Sequence, residues 1–299
     1  MDILKQLKEE LGIRLEQVEA AVKLIDEGNT IPFIARYRKE ATGSLDDEQL
    51  RTLSERLQYL RNLEDKKTQV INTIEEQGKL TEELKAQIIA ATTLVEVEDL
   101  YRPYRPKRRT RATIAKEKGL EGLAQLIMAQ ETDQPIPVLA EGYLSEEKEV
   151  KTVEQAIAGA MDIIAEEISD QAEYRSYIRE ATMKEGMVIT TAKDENQESV
   201  YEMYYNFEEG VEKIAGHRIL AINRGEKEKF LSVKISAPEE RILRYLEKKV
   251  IIKDNSNTND ILKATIEDSY KRLIAPAIER EIRNSLTERA EDGAIKVFA

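Results

Sequence analysis

Apolar positions recur every three or four residues along most of this chain, a period that places a helix under each run. Ile3, Leu4, Leu7 and Leu11 mark one over residues 2–11, and Leu15, Val18, Ala21, Val22 and Ile25 a second over residues 14–27. Gly28-Asn29 closes the second, because both residue types tolerate the left-handed conformation of a helix end. Thr30 then caps a short helix with Pro32 in its first turn, where a missing N–H is harmless. That helix turns Phe33 and Ile34 inward and carries Arg36, Arg38 and Lys39 beside them. Thr42-Gly43-Ser44 is a turn, and Ser44 with Asp47 has the spacing of a capping box. From Asp46 to about Gln77 the helical pattern runs long. Leu50, Leu53, Leu57 and Leu60 keep step, the register slips between Glu64 and Lys67, and Ile71 and Ile74 resume it before Gly78 stops the helix. Thr81-Glu82-Glu83 opens the next helix with acids at the positive end of its dipole, and it closes near Thr92-Thr93.

The pattern changes at Leu94. From there to Leu100 apolar residues interleave with Glu96, Glu98 and Asp99, as in a short half-buried segment. Tyr101-Arg102-Pro103-Tyr104-Arg105-Pro106 follows, and two prolines three apart forbid a regular helix. Each proline also pushes the arginine before it toward extended geometry, which predicts a stiff strap carrying Tyr and Arg in alternation into Lys107-Arg108-Arg109-Thr110-Arg111. Residues 65–115 read as a compact helix-turn-helix-like insert ending in that strap.

Residues 119–130 and 152–185 are helical again. In the second of these, Thr152 and Gln155 have capping-box spacing, and Ile157, Met161, Ile164, Ala165 and Ile168 form the buried stripe. Pro135-Ile136-Pro137 is the clearest interior break, dividing a helical domain over residues 1–134 from a second over 135–299. Met187–Thr191 and Phe230–Ile235 shift to strand composition and are expected to pair in a small antiparallel sheet within about residues 186–236, with 193–199 as an exposed loop. His217–Gly225 is a short helix ended by its glycine, and Pro238-Glu239-Glu240 opens another that runs to Lys249. After a loop at 255–259, a long terminal helix passes through Ile266, Leu273, Ile274, Ile278, Ile282 and Leu286, and Pro276 must kink or split it. The expected class is mainly α and multi-helical, with long helices, the helix-turn-helix-like module, and a small antiparallel sheet in the second half.

Composition narrows the chemistry. Of 299 residues, 35% are charged and 5% aromatic, with no Trp, a balance suited to long helices with solvated faces. No cysteine is present, so disulfides, thiolate metal sites and cysteine nucleophiles are excluded. No apolar run approaches the ~20 residues of a membrane span, and residues 1–12 lack a signal-peptide core, so a cytoplasmic protein with no membrane partner is expected. The lone histidine, His217, is expected to cap or pack, and Asp46-Asp47-Glu48 and Glu166-Glu167 to be solvated faces. No nucleotide-binding or nucleophile-elbow motif occurs. A non-enzymatic chain without cofactor or metal follows.

The net charge is −12, yet Arg102–Lys118 gathers eight Lys/Arg against one acid, Glu117. Three readings of that strap are open. Arg102, Arg105, Lys107, Arg108, Arg109 and Arg111 can hold phosphates while Tyr101 or Tyr104 stacks on bases; the cations can pair with neighbouring acids; or the strap can dock a protein. The smaller cluster at Arg36, Arg38 and Lys39 reads as ion-paired to acids of adjacent helices.

The strap sequence Glu98-Asp99-Leu100-Tyr101-Arg102-Pro103-Tyr104-Arg105-Pro106-Lys107, followed by Arg109-Thr110-Arg111-Ala112, resembles a hallmark of the Tex family of bacterial transcription accessory proteins, which bind nucleic acid. Three further stretches carry the same resemblance: Gly28–Gly43 (GNTIPFIARYRKEATG), Gly216–Glu226 (GHRILAINRGE) and Tyr270–Pro276 (YKRLIAP). The resemblance implies an amino-terminal helical region alone, without the RNase-H-like, helix-hairpin-helix and S1 domains that follow in that family. It further implies a scaffold in transcription regulation, with weak RNA or DNA binding for this chain by itself. Its partners would be RNA polymerase or other transcription proteins and the downstream domains of the same protein. The apolar residues Ile295, Val297 and Phe298 are expected to pack on such a domain.

Overall fold

The structure is a computed structural model describing residues 1–298, with side chains described through residue 293. It is mainly α with one small antiparallel sheet. Two compact units divide the chain, Met1–Tyr104 and Arg105–Ala299. The division falls inside the strap, whereas Pro135-Ile136-Pro137 opens a short helix within the second unit, with its proline tolerated in the first turn.

The first unit comprises α1 (Ile3–Leu11), α2 (Leu15–Asp26), α3 (Ile31–Tyr37), α4 (Lys39–Thr42), α5 (Asp47–Glu76), α6 (Glu82–Ala90) and α7 (Leu94–Tyr101). α5 is its spine, touching α1, α2, α3, α6 and α7. Asp46 rather than Ser44 caps it: its carboxylate accepts from Gln49 N at 2.7 Å, and Gln49 answers to Asp46 N at 3.1 Å. Ser44 lies instead in the turn, at φ +64°. The buried stripe is unbroken through Leu60, Leu63, Lys67, Val70 and Ile74, so the expected slip does not occur. Lys67 fills the position that looked vacant: it is 3% exposed, and its ammonium donates to the Ile89 carbonyl at 2.7 Å and pairs with Glu64 at 3.2 Å. A lysine stem packs like an apolar side chain, which a hydrophobicity pattern does not register.

Leu94–Leu100 is helical, not an extended half-buried segment. Thr93 caps it by accepting from Glu96 N at 3.1 Å, and Val97 is buried with Leu94, Leu100 and Tyr101 against the same core. The helix-turn-helix-like element is therefore α6 and α7, joined through Ala91-Thr92-Thr93, while residues 65–76 belong to the spine helix and 111–115 to the other unit.

The second unit contains α8 (Arg111–Glu117), α9 (Glu121–Ala129), α10 (Ile136–Ala140), α11 (Val153–Ser169), α12 (Ala172–Glu185), β1 (Met187–Ala192), β2 (Asn206–Gly210), α13 (Gly216–Lys227), β3 (Leu231–Ser236), α14 (Glu239–Val250), α15 (Asn259–Asp268) and α16 (Ala275–Phe298). α11 is central, packing on α8, α9, α10 and α15. Its buried face is Ala156, Ala160, Ile163, Ile164, Ala165 and Ile168, while Ile157 and Met161 are only half-buried. Gln155 does not close a capping box: Thr152 accepts from Gln155 N at 3.1 Å, but the Gln155 side chain turns to Lys151 N at 2.8 Å. The helix expected over 152–185 breaks at Asp170-Gln171, giving α11 and α12.

The sheet order is β2-β1-β3, with both pairs antiparallel. β1 and β3 are the two expected strands, and β2 escaped notice because Asn206-Phe207-Glu208-Glu209-Gly210 carries a single apolar side chain. Gly225 lies inside α13 instead of ending it. A Cβ there would sit 2.5 Å from Leu231 Cδ1, so the glycine permits β3 to close on the helix. The terminal helix is split near its proline by a π-helical stretch, Ser269–Ile274, that ends two residues before Pro276. The expected packing of Ile295, Val297 and Phe298 lies outside the residues with described side chains.

Tyr270 sits in that π-helical stretch, buried, and desolvation pushes its phenol up to about 12, with the carboxylates of Glu239 and Glu279 adding to the effect. The unfolded chain ionises first, near the ordinary value of 10.0, so the stability that Tyr270 contributes is complete below that pH and lost on the way to about 12. Denaturant melts taken at intervals between these limits should fall more steeply for the unaltered protein than for Tyr270→Phe. Parallel profiles would remove Tyr270 as the cause.

Candidate nucleic-acid interface

The strap is less extended than its prolines imply. α7 continues to Tyr101, one turn of 3-10 helix covers Arg102–Tyr104, and the backbone becomes irregular at Arg105–Thr110, before α8. Arg102 is helical (φ −49°, ψ −45°) although it precedes proline, and its N–H donates to the Glu98 carbonyl. The helix loses only the next donor, which Pro103 lacks, so the proline ends the ladder without straightening the chain.

Tyr101, Arg102 and Tyr104 fall in the first unit, each half-buried. Both tyrosines pack against its core. The ammonium of Lys66 lies 5.6 Å from the centre of the Tyr101 ring and pairs with Glu98 at 3.0 Å. The Tyr104 carbonyl accepts from Gln77 Nε2 at 2.8 Å. These rings anchor the end of α7, and neither is exposed as a stacking platform.

Arg105, Lys107, Arg108, Arg109 and Arg111 fall in the second unit. The four arginines are exposed and Lys107 is not. Its side chain is 22% exposed, and its ammonium reaches Glu166 Oε1 at 3.0 Å and also Asp170 Oδ2. Asp162, Glu166 and Asp170 recur every fourth residue, so they share one side of α11. Lys107 therefore pins the strap to that helix. Arg109 pairs with Glu117 at 3.3 Å, but both side chains are well exposed, at 68% and 59%, and such a pair contributes little. Arg108 makes no ion pair with any described residue.

The ion-paired reading thus holds at Lys107, while Arg105, Arg108, Arg109 and Arg111 are exposed. Of Glu166-Glu167, expected to be a solvated face, Glu167 is exposed and Glu166 is not. Glu166 holds Lys107, and partial desolvation at the foot of the exposed Glu167 side chain pushes its carboxyl up, with Lys116 opposing. Burial likewise raises Asp162 against the pull of Arg272 and Arg111. The four-residue spacing of acids on α11 was the available signal, but nothing in it identified a lysine about sixty residues earlier as the partner.

Other chemistry is thin. α7 carries Glu96, Glu98 and Asp99, so the second helix of the α6–α7 pair offers negative charge where phosphate contact needs cations. His217 is exposed in the first turn of α13. Among the described residues no cluster of His, Asp or Glu could hold a metal ion, and no helix is long and apolar enough to cross a membrane.

Relatives among known proteins match this chain over nearly its whole length. Residues 1–75 match the Tex-like protein N-terminal domain and residues 131–298 the Tex central region-like family. The chain is 51% identical to protein YdcI of Bacillus subtilis over 99% of its own length and 41% of that protein. It is 40% identical to the transcriptional accessory protein Tex of Neisseria gonorrhoeae over its whole length and 40% of that protein. It is 29% identical to human S1 RNA-binding domain-containing protein 1 over 99% of its length and 31% of that protein. The chain thus spans about two fifths of the length of its bacterial relatives. With its N-terminal stretch and more than half of its length matched to two Tex regions in order, the chain belongs to the Tex family.

Proposed function

We propose that this chain is the amino-terminal scaffold of a transcription accessory protein and that its second unit contacts RNA or DNA backbone through Arg105, Arg108, Arg109 and Arg111. The carrying observation is their exposure on a strap pinned by Lys107, in a chain of net charge −12. Concentrated guanidinium charge against an opposing global field is matched by a polyanion, and phosphate contact of this kind fixes position without reading sequence. The chain is read as non-enzymatic and cytoplasmic, with no cofactor; a protein named for an RNA-binding S1 domain among its relatives supports a nucleic-acid partner.

If the strap arginines each meet a phosphate, log affinity for duplex should fall against log salt with a slope of roughly −3 to −4. Arg108→Glu with Arg109→Glu should weaken low-salt binding about tenfold and flatten that slope by about 2. Fluorescence anisotropy with labelled duplex DNA and RNA reads both quantities. An unchanged slope in the double variant sinks the strap as the contact.

A second reading is a docking platform for RNA polymerase, other transcription proteins or downstream domains of the same protein. It is favoured by Val200 and Met203, 88% and 63% exposed, beside the edge strand β2. Retention of polymerase by the immobilised chain after nuclease treatment supports this reading, and loss supports tethering through nucleic acid.

A further inference from the structure

The first unit carries a second cationic surface of different construction. α3 ends at Tyr37 and α4 begins at Lys39, with Arg38 between them at φ −128°, ψ 30°, so the chain turns and gathers Arg36, Arg38 and Lys39 at one corner. The corner is fixed from below. Ile34 and Thr42 are fully buried, and Gln17 Nε2 donates to the carbonyls of Thr42 and Gly43 at 3.0 and 3.3 Å. Gly43 adopts φ +65°, with Arg14 Nη2 3.0 Å from where a Cβ would stand, which brings a further cation alongside.

Two rings lie among these charges. Phe33 and Tyr37 are 5.3 Å apart at a tilt of 47°. The Arg38 guanidinium sits 4.9 Å from the Phe33 ring centre, and that of Arg36 5.4 Å from the Tyr37 ring centre. Tyr37 remains 53% exposed, the largest exposure of any aromatic ring among the described residues with an exposed apolar surface. Arg36, Arg38 and Lys39 make no ion pair with any described acid, contrary to the pairing expected from sequence. Elsewhere in the same unit arginines do find carboxylates: Arg56 meets Glu10 and Arg61 meets Asp26, at 2.7 and 2.8 Å. Arg38 is half-buried and donates to the Tyr37 carbonyl at 2.9 Å, which leaves Arg36 and Lys39 exposed without a carboxylate beside a ring that is still more than half exposed, a surface suited to something both anionic and flat.

We infer that this corner binds single-stranded nucleic acid, stacking one base on Tyr37 while Arg36 and Lys39 hold the adjoining phosphates. Duplex hides its base faces, so the exposed ring is useful only to an unpaired strand. An acidic peptide would satisfy the cations but leave the ring unused. The surface is separate in sequence from the strap and lies in a different unit from the strap's exposed arginines, and it distinguishes strand type where they do not.

The test uses the full chain with a labelled twelve-nucleotide oligouridylate and a duplex DNA of equal length, both at low salt. Tyr37→Ala should weaken oligouridylate binding about tenfold and leave duplex binding unchanged, with Tyr37→Phe retaining the original affinity. Arg36→Glu with Lys39→Glu should weaken the single strand at least as much. The strap variant Arg108→Glu with Arg109→Glu should weaken both probes, so failure of the strap and failure of the corner are read separately. Circular dichroism melts that match the unaltered protein exclude misfolding, as the surface position of Tyr37 leads one to expect. Three results overturn the assignment: no oligouridylate binding by the unaltered chain, equal binding by Tyr37→Ala, or displacement of the oligonucleotide by polyglutamate at matching charge concentration.

Discussion

Gly159→Val is expected to destabilise the second unit by about 3 kcal/mol, lowering its melting temperature by roughly 9 °C. Gly159 stands where α11 meets α8, between Ala156 and Ala160 on one helix and opposite Ala115 on the other. A Cβ at this position would lie 2.3 Å from Leu120 Cδ1 and 3.3 Å from Ala115 Cβ. Leu120 is 1% exposed and has nowhere to swing. Relief therefore requires the helices to part, and close-packed interiors resist added volume. Gly159→Ala is the sharper control. It gains about 1 kcal/mol in helix propensity while meeting the same two atoms, so a net loss on melting isolates the steric effect. Stability equal to or above the unaltered protein would mean that the seam yields. Because α8 follows directly from the strap, Gly159→Val should also weaken duplex binding through the strap arginines.

Lys107→Ala should cost about 2 kcal/mol in the same unit, within the range for losing a charge-assisted hydrogen bond whose acceptors stay largely buried. Glu166 and Asp170 are 17% and 11% exposed, one helical turn apart, and both face the ammonium. Without it, both carboxylates lose the cation they share in a place where little water screens them. A double-mutant cycle with Asp170→Asn should return a coupling of about 1–2 kcal/mol, since relieving one acid removes much of the need for the lysine. Additive losses would show that Lys107 and Asp170 stabilise the unit independently. In salt titrations the Lys107→Ala chain should keep its slope, the arginines being intact, while its affinity drops because the strap must be ordered on binding.

The helices were legible because burial on one face imposes a period that survives in the sequence. Leu50, Leu53, Leu57 and Leu60 announced α5, and Thr30 with Pro32 announced the start of α3. The strands β1 and β3 were equally plain, and so was the disruption at Pro276. What failed were inferences that turned on a single residue's surroundings. Leu94–Leu100 looked alternating because three acids interrupt its apolar residues, yet Leu94, Val97 and Leu100 already sat three apart, and the Thr93 cap settles the helix.

The candidate site divides along the same line. Sequence alone determined where charge is concentrated: a strap of arginines, a smaller corner at Arg36–Lys39, and an acidic remainder, because composition and local order are properties of the chain itself. Which of those charges reach water was decided only by tertiary structure. Lys107 and Arg108 are neighbours of like charge, and one is held against α11 while the other is exposed. The difference comes from acids about sixty residues away in sequence. Lys67 makes the same point from the interior: its place in the core depends on a carbonyl from the following helix. An ion pair needs its partner within about 4 Å, and that distance is set by packing, which no local pattern encodes.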